Sequence, residues 1–177
     1  ARYRGFPLII KPLALSGSRG VIRVDTPHDF VSAFTRLRHL LHAIDVRSER
    51  DDAHDFVLIE SFVPGREYAV EGVLTHGAFQ AFTIFDKPDP LDGPFFEETI
   101  YVTPSRAPED TQRAMTHEIE RAVRALGLHH GPVHAECRVN DTGVFVLEVA
   151  PRPIGGLCSR AVRLEGPDGV VSLEEVL

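Results

Sequence analysis

At 177 residues with 43% apolar residues, the chain has the composition of a globular protein able to bury one substantial core or two small lobes. A net charge of −7 lacks the basic surplus of a nucleic-acid binder, and no apolar run approaches membrane-spanning length, so neither nucleic acid nor membrane is expected as a partner. Cys137 and Cys158 stand isolated, form no disulfide framework and fit a reducing, cytoplasmic setting.

The chain opens Ala1-Arg2-Tyr3-Arg4-Gly5-Phe6-Pro7, without an initiator methionine or a signal-peptide layout, and reads as a piece of a longer protein. Leu8 to Lys11 has the pattern of a buried strand ending at Pro12, and Val21 to Val24 that of a second strand. Ser16-Gly17-Ser18-Arg19-Gly20 between them makes a hairpin with a mobile tip. Thr26 caps a helix with Pro27 at its first position; Phe30, Phe34, Leu37, Leu41 and Ile44 recur at helical spacing, so this helix covers the hairpin. After a polar loop from Arg47 to Asp55, strands are expected over Phe56–Glu60, Glu67–Leu74 and Ala78–Phe85, with turns at Val63-Pro64-Gly65-Arg66 and Thr75-His76-Gly77.

The proline-rich run Lys87 to Pro94 is irregular and leads into an extended stretch, Phe95 to Val102. Pro108 opens a second helix whose apolar positions are Met115, Ile119, Val123 and Leu126, with Gly127 at its end. Two strands carrying Glu136 and Glu148 flank the hairpin signal Asn140-Asp141-Thr142-Gly143. The tail from Leu157 to Leu177 reads as a short helix, a turn at Gly166-Pro167-Asp168-Gly169 and the start of another helix. The order describes an α+β protein of two lobes: 1–62, a small lobe with the glycine-rich hairpin, and 63–177, a larger one.

A hairpin holds Glu136 and Glu148 side by side. Two fixed carboxylates with Arg152 and the Gly155-Gly156 pair just beyond suit a hard divalent metal that carries phosphate. The residues also admit an acidic pair on a wet sheet face, although facing like charges are destabilising unless neutralised. Lys11, at the end of its strand, can converge with the backbone N–H groups of Ser16 to Gly20 on one phosphate chain, in the reverse order of a P-loop. Glu60 and Glu67 flank an apolar hinge able to meet a purine edge and ribose hydroxyls, or form a plain turn with solvated acids. His134-Ala-Glu136 matches the His-x-Glu of zinc deaminases, but the Pro-Cys-x-x-Cys that such a site requires does not occur.

In this order the parts resemble the ATP-grasp enzymes over nearly the whole chain. The shared pattern is a strand lysine before a glycine-rich phosphate loop, Glu-x-Phe-Val-x-Gly-x-Glu, and two metal-binding acids with an arginine after the second; here these are Lys11, 16–20, 60–67, Glu136, Glu148 and Arg152. The resemblance implies an ATP-grasp fold, two α+β lobes with antiparallel sheets enclosing the nucleotide, and the hairpin acting as a lid. It implies that Lys11 holds the α and β phosphates and that Ser16, Gly17, Ser18, Arg19 and Gly20 cover the β and γ phosphates. The backbone of Glu60, Ser61, Phe62 and Val63 then faces adenine, Glu67 takes the ribose and Leu147 forms part of the adenine floor. Glu136 and Glu148 bind Mg2+ (or Mn2+), and Arg152, with the backbone of Gly155 and Gly156, stabilises an acyl phosphate and the oxyanion that follows.

The runs Glu-Val-Ala-Pro-Arg-Pro-Ile-Gly-Gly and Phe-Phe-Glu-Glu-Thr look most like the branch of L-amino-acid ligases and related carboxylate–amine ligases. That branch implies ATP-dependent amide formation between a small-molecule carboxylate and an amine, amino acids foremost, with release of ADP and phosphate. Glu98, or else Glu97, would read the substrate amino group, with His134 in the substrate pocket or behind it. Ala150 departs from the pattern, since the family often has an asparagine there as a further metal ligand. Two alternatives stay open: a non-catalytic ATP-binding regulatory module, and a ligase of nucleotide biosynthesis or carboxylation. A homo-oligomer is also left open.

Overall fold

A computed structural model describes residues 5–47, 52–96, 100–166 and 169–176. The chain divides into two compact units, Ala1–Val63 with Leu91–Thr99, and Pro64–Pro90 with Ile100–Leu177. The fold is α+β and every strand pair is antiparallel.

In the first unit β1 (Leu8–Pro12) lies between β2 (Ile22–Val24) and β3 (Val57–Ser61). Burial alternates along β1 and β2, so Leu8, Ile10, Ile22 and Val24 share one face, and α1 (Pro27–Leu41) lays Ala33 on it. Each such aliphatic side chain taken from water contributes about 1.5–3 kcal/mol. Thr26 caps α1 by accepting a hydrogen bond from the Asp29 backbone N–H at 3.2 Å. The buried edge of α1 is Ala33, Leu37 and Leu41; Phe34 sits at its margin, stacked on Phe30 at 6.1 Å, and Ile44 belongs to a separate turn, α2 (Ile44–Arg47).

The segment Leu91–Thr99, which the sequence reading kept in the second lobe, groups with the first unit. Arg23 accounts for this: its backbone N–H donates to Pro94 O at 3.0 Å, its guanidinium donates to Asp92 O at 2.8 Å, and neighbouring Ile22 bridges Phe95. The extended stretch expected over Phe95–Val102 forms only isolated bridges among the described residues, Ile22 with Phe95 and Asp86 with Val102.

The second unit is built on a four-stranded sheet in the order β5 (Ala78–Asp86), β4 (Arg66–Thr75), β6 (Gly131–Asn140), β7 (Gly143–Ala150). Helix α3 (Glu109–Ala125) covers one face, where Met115, Ile119 and Val123 pack with Val70, Ala135 and Cys137. Leu126, expected on that stripe, is 62% exposed because it caps the helix end, past the last full turn. The tail holds α4 (Gly156–Ala161), the hairpin β8 (Arg163–Gly166) and β9 (Gly169–Ser172), and α5 (Leu173–Val176). The turn expected at 166–169 falls between these two strands, which the sequence does not reveal because four residues are too few for a period of two to stand out. Ile154, Val162 and Leu173 from the tail pack with Ala69 and Phe85 on the face opposite α3. No described helix is long and apolar enough to cross a membrane.

Candidate functional site

Alternation places Glu67, Ala69 and Glu71 on one face of β4, and His134, Glu136 and Arg138 on one face of β6. The register sets Glu67 opposite Arg138, Ala69 opposite Glu136 and Glu71 opposite His134, so the face away from α3 is charged. Two one-residue bulges complete it. From the Asn140–Gly143 turn the pairing runs to Cys137 opposite Val146 and, unshifted, would set Glu136 against Leu147 and turn Glu148 to the apolar face. The bulge between Glu136 and Cys137 inserts Leu147 and brings Glu148 opposite Glu136. The bulge at Glu71/Gly72 does the same for β5: it pairs Tyr68 with Asp86, so that Lys87, whose backbone N–H donates to Glu67 O at 3.3 Å, falls beside Glu67.

The ammonium of Lys87, only 3% exposed, donates to Glu67 Oε1 at 2.9 Å and to Glu136 Oε1 at 2.6 Å. Arg138 Nε donates to Glu67 Oε2 at 2.8 Å. His134 Nδ1 bonds Glu71 Oε1, and its Nε2 lies 3.6 Å from Glu136 Oε1. Glu71 Oε2 accepts the backbone N–H of Ile154 at 2.8 Å, which ties the network to the segment carrying Arg152. Buried charges persist only where paired and hydrogen-bonded, and each of these side chains has such a partner.

Burial opposes charge on His134, but its pairing with Glu136 and Glu71 outweighs that and lifts its pKa to about 9. Burial likewise opposes charge on Glu136, and His134 and Lys87 reverse it, taking the pKa down to about 2. Cys137 is pushed up to about 12 by burial and by the carboxylates of Glu67 and Glu136, so it stays a thiol.

Glu148 is exposed, and the hydrogen bond from Lys87 to Glu136 is made to Oε1. No described group of three or more His, Cys, Asp or Glu side chains is arranged to hold a metal, and Ala150, opposite His134, supplies no further oxygen. A pair of carboxylates fits magnesium or manganese arriving with phosphate oxygens and water; it does not fit a closed all-protein cage. Arg152 is exposed and donates through Nη1 to Pro153 O at 3.0 Å. Leu147 is the half-buried extra residue of the β7 bulge. Nothing lies within 4 Å of where a Cβ would stand at Gly155 or Gly156.

In the first unit Lys11 Nζ pairs with Glu60 Oε2 at 2.7 Å, from the facing strand β3. Arg19, in the turn of Ser16, Gly17, Ser18 and Gly20, pairs with Asp45 at 2.7 Å and its hydrogen bond lowers the Asp45 pKa. Gly20 has φ +82°, and a Cβ there would stand 2.9 Å from Leu40 and from Pro12, so the turn closes directly onto α1. Ser61 ends β3, the Phe62 backbone N–H donates to Pro7 O at 3.1 Å, and Val63 ends this unit's first segment. Glu97 and Glu98 lie outside the described residues.

Lys87, Glu71 and Arg138 were not singled out by sequence reasoning. The recurrence of charge at every second residue in His134-x-Glu136-x-Arg138, inside an otherwise apolar strand, is the signal that marks Arg138 and, through the pairing, Glu71. Lys87 follows a strand end and carries no local signal at all.

A family model described as an ATP-grasp domain matches residues 4–161. Carnosine synthase 1 of Gallus gallus is 30% identical over 161 residues, spanning 88% of this chain and 17% of that protein. Dapdiamide A synthase of Enterobacter agglomerans is 25% identical over 158 residues, spanning 88% of this chain and 35% of that protein. Among solved structures, the L-amino acid ligase from Bacillus licheniformis superposes with a TM-score of 0.69 at 30% identity, over 88% of this chain and 34% of that one. The chain therefore spans about a third or less of these relatives.

Proposed function

Because the chain belongs to the ATP-grasp family, we propose that it is the nucleotide-binding region of an ATP-dependent carboxylate–amine ligase, which forms an amide through an acyl phosphate and releases ADP and phosphate. The observation that carries the reading is the cross-strand pair Glu136 and Glu148, held by a bulge beside a charged network whose far end grips the Arg152–Gly156 segment. Similarity to an L-amino acid ligase, a carnosine synthase and a dapdiamide synthase supports amino acids or their relatives as acid and amine.

Each unit contributes its own set of groups. Lys11 exchanges Glu60 for phosphate oxygens, which offer it more negative charge, and the backbone of 16–20 covers the phosphate chain. In the first unit the backbone from Glu60 to Val63 offers hydrogen bonds to an adenine edge; in the second, Leu147 offers an apolar surface to an adenine ring. Both oxygens of Glu67 are fixed by Lys87 and Arg138, so the carboxylate presents its remaining lone pairs to ribose hydroxyls without reorganising. Glu136 and Glu148 would hold magnesium or manganese, which when bound neutralises phosphate oxygens during transfer. Arg152, whose guanidinium bonds among the described residues a neighbouring carbonyl, keeps donors for the acyl phosphate and the oxyanion, aided by the open backbone at Gly155 and Gly156. Glu98, or else Glu97, takes the substrate amine. His134, buried and turned toward Glu71 and Glu136, acts by orienting the carboxylates behind the substrate pocket.

The test is ADP release by the full-length protein with magnesium and ATP against amino acids offered singly and in pairs. Release that depends on a particular pair is expected. ATP binding without release under any pair would replace this reading with the regulatory module that Ala150 favours.

A further inference from the structure

Lys87 helps to fix Glu67 and, 3% exposed like Arg138, is bonded as well to Glu136, a contact that no role above uses. We propose that Lys87 is an internal counter-cation that holds down the affinity of Glu136 for a free divalent ion, so that the metal is admitted together with nucleotide phosphate. The inference rests on the reading of Glu136 and Glu148 as metal ligands.

Three features carry it. Lys87 is locked in place: its backbone N–H donates to Glu67 O just past the end of β5, its ammonium is bonded to Glu67 and Glu136, and the Tyr101 ring lies 5.0 Å from Nζ. It cannot retreat into solvent when another cation arrives. Next, the ammonium sits 2.6 Å from Glu136 Oε1, so a dication on the same carboxylate faces a positive charge across it. In a partly buried setting such repulsion lowers affinity by about tenfold or more. Finally, Glu148, the other carboxylate of the pair, is exposed and Glu136 is already bonded to Lys87, so these two side chains alone hold a dication weakly. Phosphate oxygens supply the remaining negative charge.

The same ammonium grips Glu67, so the nucleotide-side and metal-side carboxylates share one counter-ion, and coupling between the two ligands is reciprocal. The test is Mn2+ binding to the full-length protein, read from the electron paramagnetic resonance of the free ion with and without a non-hydrolysable ATP analogue, after subtracting the Mn2+ that the analogue binds in the absence of protein. Wild type is expected to bind Mn2+ far more tightly with the analogue. Lys87→Met and Lys87→Gln, the latter keeping a donor toward both carboxylates, are expected to tighten nucleotide-free binding by about tenfold or more and to shrink the gain from nucleotide accordingly. Lys87→Arg, which keeps the charge, should behave as wild type. Wild type binding Mn2+ equally well with and without the analogue would overturn the proposal, whatever the variants' folding. Nucleotide-dependent binding left unchanged in the neutral variants would overturn the role of Lys87 alone. Absence of Mn2+ binding even with the analogue would remove the metal reading itself, and the proposal with it.

Discussion

Replacing Glu71 tests whether the charged face is held together by the His134 pairing. Glu71 joins His134 to the Ile154 backbone N–H, and His134 is raised from 6.5 to about 9 by its two carboxylate partners. That shift corresponds to roughly 3 kcal/mol of stabilisation at about 1.4 kcal/mol per unit, shared between Glu136 and Glu71. Glu71→Gln keeps an acceptor for Ile154 and should cost about 1–2 kcal/mol near pH 6, whereas Glu71→Ala also orphans a buried N–H and should cost about 3–5 kcal/mol. Because the folded pKa of His134 is raised, its contribution is fully present below 6.5 and is lost as pH climbs through 9. The gap between wild type and Glu71→Gln should therefore close between pH 6 and pH 10. Urea unfolding of the metal-free protein across that range measures it. A cost for Glu71→Gln that stays constant with pH would refute the assignment of the stabilisation to charged His134.

Glu148→Gln should abolish ADP release while leaving nucleotide binding in the absence of metal largely intact; full activity would remove Glu148 from the metal site. Arg152→Ala should lower kcat and spare ATP affinity, measured by steady-state kinetics and by direct ATP titration; a loss confined to ATP binding would contradict the oxyanion role. Gly20→Ala should destabilise the first unit by about 1–3 kcal/mol, since a Cβ at φ +82° meets Leu40 and Pro12 at 2.9 Å, and thermal unfolding reads the loss.

Local chemistry was enough to announce much of this protein. Capping at Thr26, the helical spacing of Met115, Ile119 and Val123, and the turn at Asn140–Gly143 are written within a few residues, where period and turn propensity act directly. So were the carboxylates Glu136 and Glu148, and the order of motifs that marks the family. The attachment of Leu91–Thr99 to the first unit was not legible, because it rests on Arg23 reaching a segment distant in the chain.

The composition of the charged face was decided only by tertiary structure. Counted from its turn, the β6–β7 hairpin sets Glu136 against Leu147; counted from Thr75 and Ala78, the β4–β5 hairpin leaves Lys87 on the wrong side of the sheet. One extra residue in each partner strand moves both onto the face of Glu67 and His134. A bulge costs local ladder hydrogen bonds, and its place is set by packing on both faces of the finished sheet. Side-chain direction reverses at every residue of a strand, so a shift of one position decides which face a charge occupies, and only the assembled sheet contains that shift.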